Sequence, residues 1–254
     1  MQQKRLISIV VFCIFFNAKD VYAKNAECSK DKPLIIGVQN INYSPHYDFV
    51  TENSHAYFNA LIAWLAKETN CKFIIKALPI KRLQLSFKHR QIDFMYPDNP
   101  TWHNKLEAER FYSVPVTTAL GGTMVKQNNI GIDVAQFKKL AFPRGFSPVA
   151  WYELSDKKQL AFKEVSTPVA ALKMVITNRA DGADIELNVA NFLIKKYQLE
   201  PLVLAEKLPF TPTNFHLSTY NKIHTLKAIN ALIATNPQFI STLKRQYNLI
   251  ESRP

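Results

Sequence analysis

Residues 92–116 read IDFMYPDNPTWHNKLEAERFYSVPV. The stretch starts as a short apolar run, Ile92 to Tyr96, of the kind a strand buried on both faces shows. Pro97 then ends the run, and Asp98, Asn99 and Trp102 gather where the strand hands over to its next element. Toward the N-terminus, LIIGV (34–38) and KFIIK (72–76) repeat the buried-strand signal, and amphipathic segments separate the three runs. One segment starts near Ser54 and sets Tyr57, Leu61, Trp64 and Leu65 on one face; the other passes through Leu83 and Phe87. Strand, helix, strand, helix, strand with short connections predicts a parallel α/β sheet covered on both faces.

Downstream the alternation returns more faintly. LAFPRGFSP (140–148) and GADIEL (182–187) read as strand ends, PLVLA (201–205) as a further strand, and helices are predicted from about Thr167 to Thr177 and from Val189 to Tyr197. Lys222 to Asn248 is helical in pattern with a break at Asn236-Pro237, and its apolar residues need a sheet to cover. Two α/β units fit 254 residues better than one. The absence of a low-complexity linker implies that strands crossing from one unit to the other join them.

The chain opens with Lys4-Arg5, an apolar run from Leu6 to Phe16, and Val21-Tyr22-Ala23. That is a secretory signal pattern over residues 1–23, too short for a mature membrane span. The expected location is the periplasm. Removing the leader, in which Lys4, Arg5 and Lys19 outweigh Asp20, lowers the formal charge from +12 to +10. The lysines are scattered and form no arginine–aromatic stripe, so no nucleic-acid partner is expected. Cys28 and Cys71 survive processing, each just ahead of a predicted strand. In an oxidising compartment an even count makes a disulfide the default, and parallel neighbouring strands would place both thiols at one sheet edge.

Several motifs together resemble the family 3 periplasmic solute-binding proteins, best known from polar amino acid uptake. PLIIGV followed by YSPHYDF is similar to the family's first strand and ligand-side loop, and LPIKRLQLSFKHRQIDF to its helix leading into an Asp-led strand. YSVPV resembles the element before the first crossing between lobes. FKKLAFPRGFSP, NRADGADIELNVANFL and NFHLST resemble the far lobe's first strand and Gly-led helix start, its Asp-rich segment and the returning strand. The resemblance implies a two-lobe periplasmic-binding-protein-like fold, each lobe a mainly parallel sheet flanked by helices, joined by two crossing strands. Lobe 1 would comprise residues 24–124 and 210–254, lobe 2 residues 125–209, with hinge closure on a ligand.

Ligands on open parallel sheets bind beyond the carboxyl ends of the strands. By that rule Tyr43 and Tyr47 after LIIGV, Tyr96, Asp98, Asn99 and Trp102 at the end of IDFMY, and Gly145, Phe146 and Ser147 after LAF are the candidate ligand-binding residues. Tyr96 and Trp102 read either as ligand-stacking or as core aromatics, and Asp98 and Asn99 either as contacts or as a turn. The resemblance places Glu186 where the family holds an Asp that receives the ligand's amine. In place of the family's carboxylate-binding Arg, which follows a Thr, Thr101 is followed by Lys105, with Arg110, Arg82 and Arg144 elsewhere. One pole, Glu186, is thus expected to meet a cationic group, and the other, the start of the far-lobe helix with Lys105 or Arg144, an anionic one.

The six histidines show no metal-ligand spacing, and no nucleophile elbow, P-loop or Cys-x-x-Cys is present. No cofactor and no enzymatic activity are therefore expected, although dehydratases on the same fold keep an enzyme as one alternative. The expected protein is a monomer that captures a small polar ligand and presents it to a membrane permease of the ABC type or, alternatively, to a membrane sensor.

Overall fold

The structure, a computed structural model, describes residues 28, 32–51, 55–102, 109–146, 148–155 and 160–253. The leader, Lys105 and Ser147 lie outside the described residues.

The first lobe is built on β1 (Leu34–Gln39), β4 (Phe73–Leu78) and β5 (Phe94–Asp98), parallel in the order β4-β1-β5. Between β1 and β4 the chain forms a two-stranded hairpin, β2 (Asn42–Tyr43) with β3 (Tyr47–Asp48), and helix α1 (Tyr57–Thr69). That helix buries Tyr57, Leu61 and Leu65 of the predicted face together with Phe58 and Ile62, whereas Trp64 of that face is only half-buried. Helix α2 (Ile80–Lys88) packs on β1 so closely that a Cβ on Gly37 would stand 2.6 Å from Leu83 Cδ1. Only glycine admits that approach. The predicted end of β5 at Pro97 is corrected by the structure: Asp98 still pairs with His216, so the strand runs through the proline to its cavity end.

β6 (Phe111–Tyr112) leads into β7 (Thr117–Lys126), the first crossing strand. The second lobe follows as β8 (Lys139–Pro143), α3 (Val149–Ser155), β9 (Ala161–Val165), α4 (Pro168–Ile176), β10 (Gly182–Glu186), α5 (Leu187–Lys196) and β11 (Leu202–Leu204). Strands β10, β8 and β9 are parallel in that order; β7 pairs antiparallel with β10, and β11 pairs antiparallel with β7. Thr167 caps α4, its hydroxyl accepting from the Ala170 amide, with Pro168 in the first turn. The helix predicted from about Thr167 thus has a capped start with a proline in its first turn.

β12 (Phe210–Thr219) is the second crossing strand. Its first half pairs antiparallel with β7, from Phe210↔Gly122 to Phe215↔Thr117, and its second half joins β5 and β6 of the first lobe. One curled sheet, β4-β1-β5-β12-β7-β10-β8-β9, therefore runs through both lobes. Helices α6 (Ile223–Thr235) and α7 (Pro237–Gln246), broken at Asn236, return to pack on α1. Cys28 and Cys71 are disulfide-bonded with Cα atoms 5.2 Å apart, next to the register pair Leu34↔Phe73 that makes β1 and β4 parallel neighbours.

Candidate functional site

A cavity of about 590 Å³ lies between the lobes. Gln39, Met95, Pro97 and Asp98 at the carboxyl ends of β1 and β5 face Pro143, Asp184, Ile185 and Glu186 at the ends of β8 and β10. Ala119, Gly121, Thr211, Thr213 and Phe215 of the two crossing strands form its floor. The cavity thus lies at the carboxyl ends of β1, β5, β8 and β10, where the carboxyl-end rule puts it.

Of the residues expected from the sequence, Tyr43, Tyr47, Asp98, Trp102, Gly145, Phe146 and Glu186 line this cavity. The hairpin β2–β3 carries the two tyrosines, whose rings lie 5.4 Å apart. Gly145, at φ +86°, turns the chain beyond β8 so that Phe146 stacks on Tyr43 from the opposite lobe at 5.4 Å. Trp102, 48% exposed, meets Phe215 edge to face at 5.9 Å. Tyr96 sits in the core instead, stacked on Phe58 at 3.5 Å and edge-on to Tyr47. Asn99 builds the turn after β5: its Oδ1 accepts from the Thr101 amide and hydroxyl, and its Nδ2 donates to the Asn214 carbonyl. Arg144 is outside the cavity, its side chain 75% exposed and paired with Glu164 at 2.9 Å. Arg82 is exposed.

The acids differ in how they are matched. Asp98 is fully buried and accepts from the Asn99 amide, Ser218 Oγ and Arg110 Nη1, the last also an ion pair at 3.2 Å. Glu186, 3% exposed, is the N-cap of α5. Its Oε2 accepts from the Val189 amide at 2.8 Å, and its Oε1 from the Leu120 amide at 3.0 Å and Asn188 Nδ2 at 2.6 Å. His46 of the first lobe brings Nε2 to 3.0 Å of Oε2, close but out of hydrogen-bond alignment. Burial alone would raise the carboxyl's pKa, but His46 and the two amides outweigh it and hold it below the ordinary range. The residue placed by resemblance at the ligand's cationic pole is thus also a tie between the first lobe, a crossing strand and α5.

Asp184, two residues earlier on β10, is the acid the sequence reading passed over. It is half-buried and lines the cavity, and its carboxylate has no hydrogen bond or ion pair among the described residues. Burial pushes its pKa up to about 7. It lies near enough to Tyr43 to help keep that phenol protonated, after burial, Glu186 and Tyr47. Strand alternation carried the signal: in GADIE, Asp184 and Glu186 fall on one face.

No family profile and no curated protein match the chain. Solved structures do. One is a histidine kinase sensor domain with similarity to periplasmic binding proteins, at 13% identity over 87% of this chain and 98% of that one, TM-score 0.70. Another is the arginine-, lysine-, histidine-binding protein ArtJ from Geobacillus stearothermophilus, at 14% identity over 87% and 97%, TM-score 0.67. A third is the ancestral amino acid-binding protein AncCDT-1, a precursor of cyclohexadienyl dehydratase, at 17% identity over 91% and 99%, TM-score 0.66. These likenesses extend over nearly the whole length of each partner and show the two-lobe fold of the periplasmic binding proteins.

Proposed function

We propose that the chain is a divergent family 3 solute-binding protein of the periplasm, which captures a small polar ligand, an amino acid or a related compound, for an ABC-type permease. The observation that carries this reading is the interlobe cavity, floored by two crossing strands and walled by strand ends from both lobes. Such a site is completed only when the lobes approach, so ligand binding and closure are one event. The leader expected at residues 1–23 fits export, and no helix among the described residues is long and apolar enough to cross a membrane.

The likeness to a kinase sensor domain favours a second reading, in which the same closure reports to a membrane sensor. Native mass spectrometry of the protein purified from a periplasmic extract, followed by melting-temperature screening, tests the shared step. The expected result is a bound small molecule, or a ligand that raises the melting temperature. A protein that stays empty and unshifted across cations, zwitterions, anions and sugars refutes ligand capture. Co-purification of the ligand-loaded protein with a permease, as against a kinase or cyclase, separates transport from sensing.

A further inference from the structure

We propose that the cleft selects an organic cation without a carboxylate, held by Asp184 against the aromatic wall of Tyr43, Phe146, Phe215 and Trp102. The inference rests on the cleft being a ligand site, as proposed above, and narrows the ligand to a class.

Three acids line the cavity, and two are already matched by the protein: Asp98 by Arg110 and Ser218, Glu186 by three hydrogen bonds and His46. Asp184 has no donor among the described residues, although it is half-buried between two lobes. A carboxyl group withdrawn from water and left without a donor is costly, and buried polar groups of this kind ordinarily have a partner. At a cavity wall, that partner can be the ligand. The group that fits is a cation, which supplies both charge and hydrogen-bond donors.

The aromatic groups support the same ligand. Tyr43 lies 5.4 Å from Phe146 and 6.5 Å from Phe215, and Trp102 5.9 Å from Phe215, so rings from both lobes meet around one space. An ammonium or guanidinium set against such faces gains cation–π attraction where water is excluded. Burial and the nearby carboxylates hold Tyr43 in its neutral form, so it adds no competing charge.

A ligand carboxylate finds little to receive it. Among the described residues no lysine or arginine lines the cavity. Arg110 is held on Asp98 and beside Tyr220, and Arg144 is outside on Glu164. Among the described residues, an anion entering here would meet Asp184 without a fixed counter-charge, and like-charge juxtaposition is an effective way to reject a partner.

Calorimetry on the mature chain with two matched pairs tests this: agmatine against arginine, and choline against glycine betaine. The members of each pair share the cationic group and differ in whether a carboxylate is present. At least one of agmatine and choline should bind about tenfold or more tighter than its carboxylate-bearing counterpart. Asp184→Asn should weaken that ligand by about 30-fold or more, with the far-UV circular dichroism of the empty protein unchanged. Trp102→Leu, at a partly exposed wall position, should weaken the same cation several-fold and provides a second arm should the Asp184 variant fold poorly. Equal or tighter binding of the carboxylate-bearing members, unchanged affinity in both variants, or no binding by any of the four compounds overturns the assignment. A ligand of another charge class that stabilises wild type and Asp184→Asn alike overturns the cation assignment and leaves ligand capture standing. A protein that no compound of any class stabilises overturns both.

Discussion

Asp184 and Glu186 are two residues apart on one strand, and their environments move them in opposite directions. For Asp184 the folded pKa of about 7 exceeds the ordinary 3.8, so the folded state holds the extra proton and stability falls as pH rises between those values. Asp184→Asn should therefore raise the melting temperature of the empty protein at pH 8 and leave it nearly unchanged at pH 4. The gain at pH 8 should be about 1–3 kcal/mol, reduced by cavity water from what about 1.4 kcal/mol per pKa unit implies. Glu186 has the reverse sign: its folded pKa is lowered from 4.5, so its contribution is present above that value and disappears as pH falls through the folded pKa. Glu186→Gln should cost about 3 kcal/mol at pH 7, with the difference from wild type shrinking below pH 4. Urea titrations of both variants across pH check the two signs together. Both acids stand in GADIE, and an acid after an apolar run was legible there as a site candidate. Which of them is matched by the protein was not legible, because that depends on the Leu120 amide, 66 residues away in sequence, and on His46 from the other lobe.

At the scale of elements, the parts with local causes were readable and the parts with distant causes were not. Helix α4 announces itself through Thr167, Pro168 and a repeated apolar face, and α6 and α7 part at Asn236-Pro237, as the sequence indicates. Thr167→Ala should cost about 1 kcal/mol, measurable in urea, through loss of its bond to the Ala170 amide. The strand Ala161–Val165 escaped notice because it is a sheet edge, with exposed Lys163 and Glu164 in place of an apolar period. The hairpin under the cavity also escaped, its two strands being only two residues each. In the crossing strand β7 a Cβ on Gly122 would fall 2.4 Å from Leu204 Cδ1 and 3.3 Å from Phe210 Cδ2. Gly122→Val should thus push β11 and β12 apart at the crossing and cost about 1–3 kcal/mol. If urea unfolding shows no loss for this variant, Leu204 has room to move and the crossing is looser than its packing indicates.

At the scale of the molecule, the disulfide and the cavity sit at opposite ends of the first-lobe strands, before β1 and β4 and beyond β1 and β5. Replacing Cys28 and Cys71 together by Ser should cost about 4 kcal/mol, by the chain-entropy account for a span of 43 residues. Ligand affinity should be unchanged, and calorimetry beside chemical denaturation separates the two effects. Small-angle scattering should show a more compact particle on addition of a confirmed ligand; an unchanged profile would refute hinge closure. The last described residues have a further consequence. Ile250 exchanges two hydrogen bonds with the Asn188 side chain, and Arg253 donates to the carbonyls of Ala205 and Glu206, all in the second lobe. Glu251 meanwhile grips Thr117 and Thr118 at the root of the crossing and Lys244 of α7. Cys28, by contrast, is fastened to the first lobe. The first described residue is thus tied to one lobe, while the last described residues bridge both, like a cord tied across the jaws of a clamp. On the hinge closure proposed above, dyes on Lys32 and Ser252 should report ligand addition as a change in energy transfer, and an unchanged signal would refute that closure.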